Sequence, residues 1–157
     1  MMKLYILLAA MALPLAACNE NTALGNDREA QLDPAPTPAP VMGAAQALQN
    51  VATELVKPET MSQADIAALG GLAGKCAIKL TEVAHPSLVF EEGESATIKL
   101  NGKLIRLPSA GSGRFESGGL SVMLEPNDEE GDAGLQGMDM IIVPPEAKDE
   151  VGYGGYV

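Results

Sequence analysis

The chain has 157 residues, with 10 Lys or Arg against 21 Asp or Glu and a net charge of -11 at neutral pH. Such an acidic surface repels phosphate backbones and anionic headgroups, which argues against nucleic acid as a partner and against an electrostatic hold on a membrane. With three Tyr, two Phe and no Trp, the rings are too few for a platform that stacks bases or sugars.

Residues 1–17 carry one positive residue, Lys3, then an apolar run from Leu4 that breaks at Pro14 and gives way to small residues. This is the layout of an export leader, and the run is shorter than the roughly 20 residues of a permanent membrane helix. It closes on Leu15-Ala16-Ala17-Cys18. That tetrapeptide resembles the lipobox of bacterial lipoproteins. The resemblance implies a diacylglycerol on the Cys18 thiol, cleavage of the leader before it, and acylation of the new amine. An ordinary cleaved signal would leave Cys18 as a plain mature residue. Each buried methylene of an attached chain contributes about 0.8 kcal/mol, so several chains on one residue hold the protein at the membrane for good. Asn19 follows, where inner-membrane retention in enteric lipoproteins would be associated with Asp, so the expected place is the outer membrane, facing the periplasm. Loss of Lys3 with the leader takes the net charge to -12, a body suited to a basic protein partner and also simply to solubility.

Residues 18–40 read as a lipidated cysteine and a linker. Asn19 to Leu32 is too polar to bury a core and is expected to be disordered. Proline at every second position from Pro34 to Pro40 blocks helix and sheet and leaves an extended spacer of about 3.1 Å per residue. A helical segment, 41–72, comes next. From Val41 to Val56, Ala44, Leu48, Val51, Ala52 and Leu55 share one face, which predicts an amphipathic helix ended by Pro58. With no Lys or Arg on its polar face it is expected to pack on its own domain. Ser62-Gln63-Ala64-Asp65 has the form of a capping box, opening a short helix from Gln63 to Leu69 that Gly70-Gly71 stops.

From Lys75 the period becomes two. Strands are expected at 75–83, 88–90, 95–100, 103–107, 114–116, 120–124 and 138–143. Asn101-Gly102 tolerates the positive φ of a two-residue turn and so sets a register, with Leu100 opposite Lys103, Ile98 opposite Ile105 and Ala96 opposite Leu107 on the core face. Lys99 then meets Leu104, and Thr97 meets Arg106, on the other face. A second hairpin turns at Ser117-Gly118-Gly119. Val151 to Val157 has no packing period, and 146–157 is read as a flexible tail. The fold class expected is mainly β with N-terminal helices: after a disordered tether, a small antiparallel β-barrel or sandwich over 73–145.

The chemistry is sparse. His85 is the only histidine, Cys76 is the only thiol once Cys18 is spent, and neither lies in a catalytic motif. The chain is therefore read as no enzyme, with no cofactor, no metal and no evident small-molecule substrate. In an oxidising compartment Cys76 is open to an intermolecular disulfide or to reaction, and is read as a small buried apolar residue. Asn127-Asp128-Glu129-Glu130-Gly131-Asp132 raises a calcium site. Counted from Asp128, however, the glycine and glutamate positions of an EF-hand loop hold Ala133 and Asp139, and a solvated acidic loop is expected. Ser109 to Arg114 is glycine-rich but lacks the Lys and the following helix of a phosphate loop.

The stretch Ser112-Gly113-Arg114-Phe115, between the strands at 103–107 and 120–124, is similar to a loop of the membrane-bound C-type lysozyme inhibitors, small lipoproteins with an antiparallel barrel. The similarity implies a binding loop made of Ser109, Ser112, Arg114 and Phe115, with Ser112 and Arg114 bonding to the carboxylates of a basic hydrolase. The chain has one residue fewer between Gly113 and Arg114 than that family and Phe115 where it has Tyr, and Cys76 alone cannot form its intradomain disulfide. The expected function is a non-enzymatic, membrane-anchored envelope lipoprotein with a binding or structural β domain. The alternatives are an inhibitor of a hydrolase such as lysozyme and, more distantly, a calcium-binding module or enzyme.

Overall fold

The computed structural model describes residues 36–157. The leader, Cys18 and most of the linker lie outside the described residues. Nine strands form one sheet: β1 (Val41–Met42), β2 (Cys76–Ile78), β3 (Leu88–Glu91), β4 (Ser95–Leu100), β5 (Lys103–Gly111), β6 (Arg114–Ser117), β7 (Leu120–Glu130), β8 (Gln136–Val143) and β9 (Val151–Tyr156). From β2 to β9 each strand pairs antiparallel with the next in the chain, while β1 lies parallel to the first half of β5. The meander curls until Lys79, just past β2, meets Tyr156 of β9. Two hydrogen bonds join that pair, Lys79 N to Tyr156 O at 2.9 Å and Tyr156 N to Lys79 O at 2.8 Å. The result is a nearly closed eight-stranded barrel.

Hydrophobic alternation accounts for the register. Leu100 pairs with Lys103, Ile98 with Ile105 and Ala96 with Leu107, and Asn101 and Gly102 carry φ of 48° and 69°, as the Asn-Gly turn requires. The second hairpin turns at Gly118 and Gly119, both with positive φ, and pairs Ser117 with Leu120. A barrel of eight strands has an interior just wide enough for side chains. Here Ile78, Leu88, Ile98, Leu100, Ile105, Leu107, Phe115, Leu120, Val122, Met140 and Ile142 occupy it, each at most 2% exposed. Phe90 and Phe115 meet as tilted rings 5.9 Å apart.

The outside of the barrel carries a second, smaller core. Thr97, Lys99 and Leu104, on the face opposite the interior, lie under α2 (Gln63–Ala68), where Met61, Ile66, Val89 and Leu104 form an apolar cluster. The capping box is present as read, Ser62 Oγ accepting from Asp65 N at 3.1 Å and Asp65 Oδ2 from Ser62 N at 2.7 Å.

Four expectations change. The helix over Val41 to Val56 is confined to α1 (Ala44–Ala47), followed by turns and one 3-10 turn at Thr53–Leu55. A single amphipathic stretch of that length is a marginal helix without packing along its whole apolar face. Ala44, Ala47 and Leu48 are captured by the lower end of the barrel, and Asn50 takes a left-handed φ of 62° that stops the turn. Leu55, expected on the buried face, is 64% exposed.

The linker, read as free to residue 40, is bound to the domain at its end. Asp65 Oδ1 accepts from Ala39 N, and Pro40 O accepts from Leu104 N at 3.0 Å. The strand expected over 75–83 is confined to Cys76–Ile78, with a bridge at Lys79, and 80–84 form turns. The tail read as flexible is β9, paired with β8 from Gly137–Tyr156 to Ile142–Val151. Its glycines hid it, since a strand without side chains on one face has no hydrophobic period to read.

Candidate functional site

The hairpin at Ser109 to Phe115 joins β5 to β6, with Ser109 opposite Phe115, Gly111 opposite Arg114 and a bulge between. Ser112 at φ 50° and Gly113 at φ 73° make the turn, and the tip from Ala110 to Gly113 is exposed. The four residues read as a binding loop are therefore split. Phe115 is 2% exposed and belongs to the barrel interior, so it is not available to a partner. Arg114 is turned along the sheet, its Nε donating to Ser121 Oγ at 3.1 Å and lying 3.2 Å from Glu116 Oε2. Ser109 Oγ accepts from Gly111 N and braces the bulge. Ser112 alone stands on the exposed tip.

An ion pair open to solvent contributes between nothing and about 1 kcal/mol, and both Arg114 and Glu116 are half exposed. Arg114→Ala is accordingly expected to lower stability by less than about 1 kcal/mol, which thermal unfolding followed by circular dichroism would measure.

One buried charge stands out. Asp65, 1% exposed, bonds Lys99 Nζ at 2.8 Å as well as the amides of Ala39 and Ser62. Burial opposes its ionisation, but the Lys99 ammonium, the two amides and the Ser62 hydroxyl outweigh it and hold the carboxyl well below the usual carboxylate range. Three parts of the chain meet at this carboxylate: the end of the proline run, the start of α2 and the C-terminal end of β4. It is a structural latch, and the capping-box reading accounts for only part of it.

At the lower end of the barrel two grooves join. One, of about 510 Å³, runs between Leu48, Val51 and Val56 on one side and Gly118, Pro144 and Pro145 on the other. The second, of about 380 Å³, lies between Thr53–Glu54 and the loop from Glu146 to Asp149, and ends at Val151, the first residue of β9. Thr53, Pro144 and Glu146 line both. Glu54, Glu146 and Asp149 face the second groove against one cation, Lys148. The sequence reading missed this region because the residues are far apart in the chain and the loop at 146–150 has no pattern.

The remaining candidates are dispersed. Cys76, expected buried, is exposed, because β2 begins with it at the rim of the barrel opposite Phe90. His85 is exposed in the turn before β3. The acidic stretch is only partly a loop: β7 runs to Glu130, its register with β8 shifting between Pro126 and Glu130, and the chain turns at 131–134, with Asn127 Nδ2 donating to Asp139 Oδ1 at 2.8 Å and Asp128 to Glu130 exposed. Its carboxylates are strung along the strand and the turn. Among the described residues, no three or more His, Cys, Asp or Glu are grouped so as to hold a metal ion, and no helix is long and apolar enough to cross a membrane.

Comparison with curated proteins and with solved structures returns no match. A family model described as a domain of unknown function, DUF6692, matches residues 14–157. With nearly the whole chain matched, including every strand of the barrel, the protein belongs to the DUF6692 family.

Proposed function

We propose that the protein is a non-enzymatic lipoprotein of a Gram-negative envelope, anchored through Cys18, whose barrel binds a protein partner on its outer surface. The observation that carries the anchor is Leu15-Ala16-Ala17-Cys18 at the close of the apolar run. The family match, over 14–157, includes that tetrapeptide. Binding at the outside is supported by the interior, which is filled by aliphatic side chains, Phe115 and Met140. On this reading the proline run holds the domain off the membrane, and the latch at Asp65 determines where the tether meets it.

The full chain expressed in a Gram-negative host tests the anchor. Wild type is expected in the detergent phase on phase separation, with a mass that includes a diacylglycerol thioether and an N-acyl group. Cys18→Ala is expected in the aqueous phase. A free Cys18 thiol, or an uncut leader on the native protein, overturns the reading.

A further inference from the structure

We infer that β9 is an open docking edge, to which an extended, basic segment of a partner protein adds as a further strand. The inference rests on the reading that the barrel binds a protein and is independent of the anchor at Cys18.

The direction of the main-chain groups carries it. In an antiparallel ladder, successive residues turn their N–H and C=O alternately to the two sides of the strand. Val157 exchanges both bonds with Gln136, on the β8 side, while Tyr156 exchanges both with Lys79, on the β2 side. By that alternation Gly154 and Gly152 also face the β2 side. There the partner strand stops. β2 ends at Ile78, Lys79 makes the last contact, and the chain turns away through 80–84, with Ala84 N bonding back to Thr81 O. Gly152 and Gly154 are both exposed. Having no side chains, what they expose is main chain, and the described residues bring no strand to it.

Natural sheets guard such an edge with Lys, Pro, a bulge or a covering segment. Val151-Gly152-Tyr153-Gly154-Gly155-Tyr156 has no charge and no proline, and its register with β8 is continuous. An edge of this kind is a template for strand addition. The chemistry of the incoming strand follows from the flanks. Asp149 and Glu150 precede β9, Glu54 and Glu146 line the groove that ends at Val151, and Asp139 Oδ1 lies 4.0 Å from where a Cβ on Gly154 would stand. Lys148 is the one cation lining that groove. A second copy of this acidic chain would bring like charges together, whereas a basic segment would be attracted.

The test uses the full chain in detergent and fluorescent twelve-residue peptides read by anisotropy. A peptide alternating Lys and Thr is expected to bind and to slow hydrogen exchange at the Gly152 and Gly154 amides. Its Glu–Thr counterpart, and a Lys–Thr peptide N-methylated at alternate residues, are each expected to bind at least about tenfold more weakly. Gly152→Pro removes an edge N–H that the barrel does not use and is expected to weaken binding by about tenfold. Gly152→Ala, whose Cβ meets nothing within 4 Å, is expected to bind as wild type. If the proline variant fails to fold, the N-methylated peptide against wild type still decides.

No binding of the Lys–Thr peptide overturns the inference, as does binding indifferent to N-methylation, which would be charge contact alone. A concentration-dependent dimer in sedimentation, abolished by N-methyl or proline blockage of the edge, would make a second copy the occupant and overturn it too. Fractionation of Cys18→Ala reads the anchor separately, so the two failures are distinguishable.

Discussion

Asp65→Asn is expected to destabilise the domain by about 3 kcal/mol, because breaking a buried pair leaves Lys99 without its counter-charge and presents an amide to three donors. For a domain of this size that is a fall in melting temperature of roughly 10 °C. The carboxylate accepts from Ala39, Ser62 and Lys99 at once, so the loss also loosens the end of the proline run at Ala39 and the start of α2. A pH series isolates the charge. The folded-state value of Asp65 lies below its ordinary one near 4. The stability it contributes is therefore fully present above about pH 4 and is lost as pH falls toward the folded value. Wild type is expected to lose melting temperature between about pH 4 and 2 more steeply than Asp65→Asn, with a constant gap from pH 5 to 7. Parallel curves throughout would show that Asp65 acts by shape alone.

The seam at β9 carries the second large effect. A Cβ on Gly155 would stand 2.6 Å from Lys79 O and 3.2 Å from Ile78 Cγ2, so any side chain there pushes β9 away from β2. Gly155→Val is expected to cost about 3 kcal/mol from forced overpacking and from strain on the Lys79–Tyr156 pair. Removal of residues 151–157 is expected to prevent folding outright, since Met140 and Ile142 would lose the strand beside them and the core would lose the packing of Tyr153 and Val157. Circular dichroism of both variants measures this. A mobile tail would make either change silent, and a melting curve equal to wild type would return β9 to that status.

Lys99 illustrates how far pattern reading reaches. Its partner across the hairpin, Leu104, follows from the Asn-Gly turn and the period of two, and the structure has that pair. The same rule put both on an outer face without saying what covers it. Ile66 and Met61 do, and that contact joins elements more than 30 residues apart. Phe115 illustrates the reverse: a short motif suggested a contact loop, while period two from Val122 back across the second hairpin already pointed the ring inward.

Local rules were enough wherever the residues that decide an element lie close together in the chain, as in the Asn101-Gly102 turn, the Ser62–Asp65 cap and the alternating strands from Leu88 to Leu124 and Met138 to Val143. Tertiary structure decided whatever depends on distant partners. The barrel end outcompetes a weak helix over Val51 to Val56, Asp65 draws in the proline run, and β9 exists because β8 offers it a ladder and Lys79 a single closing pair. Glycine at 152, 154 and 155 removes the side-chain signal by which a strand is read, while leaving intact the main-chain groups by which it pairs.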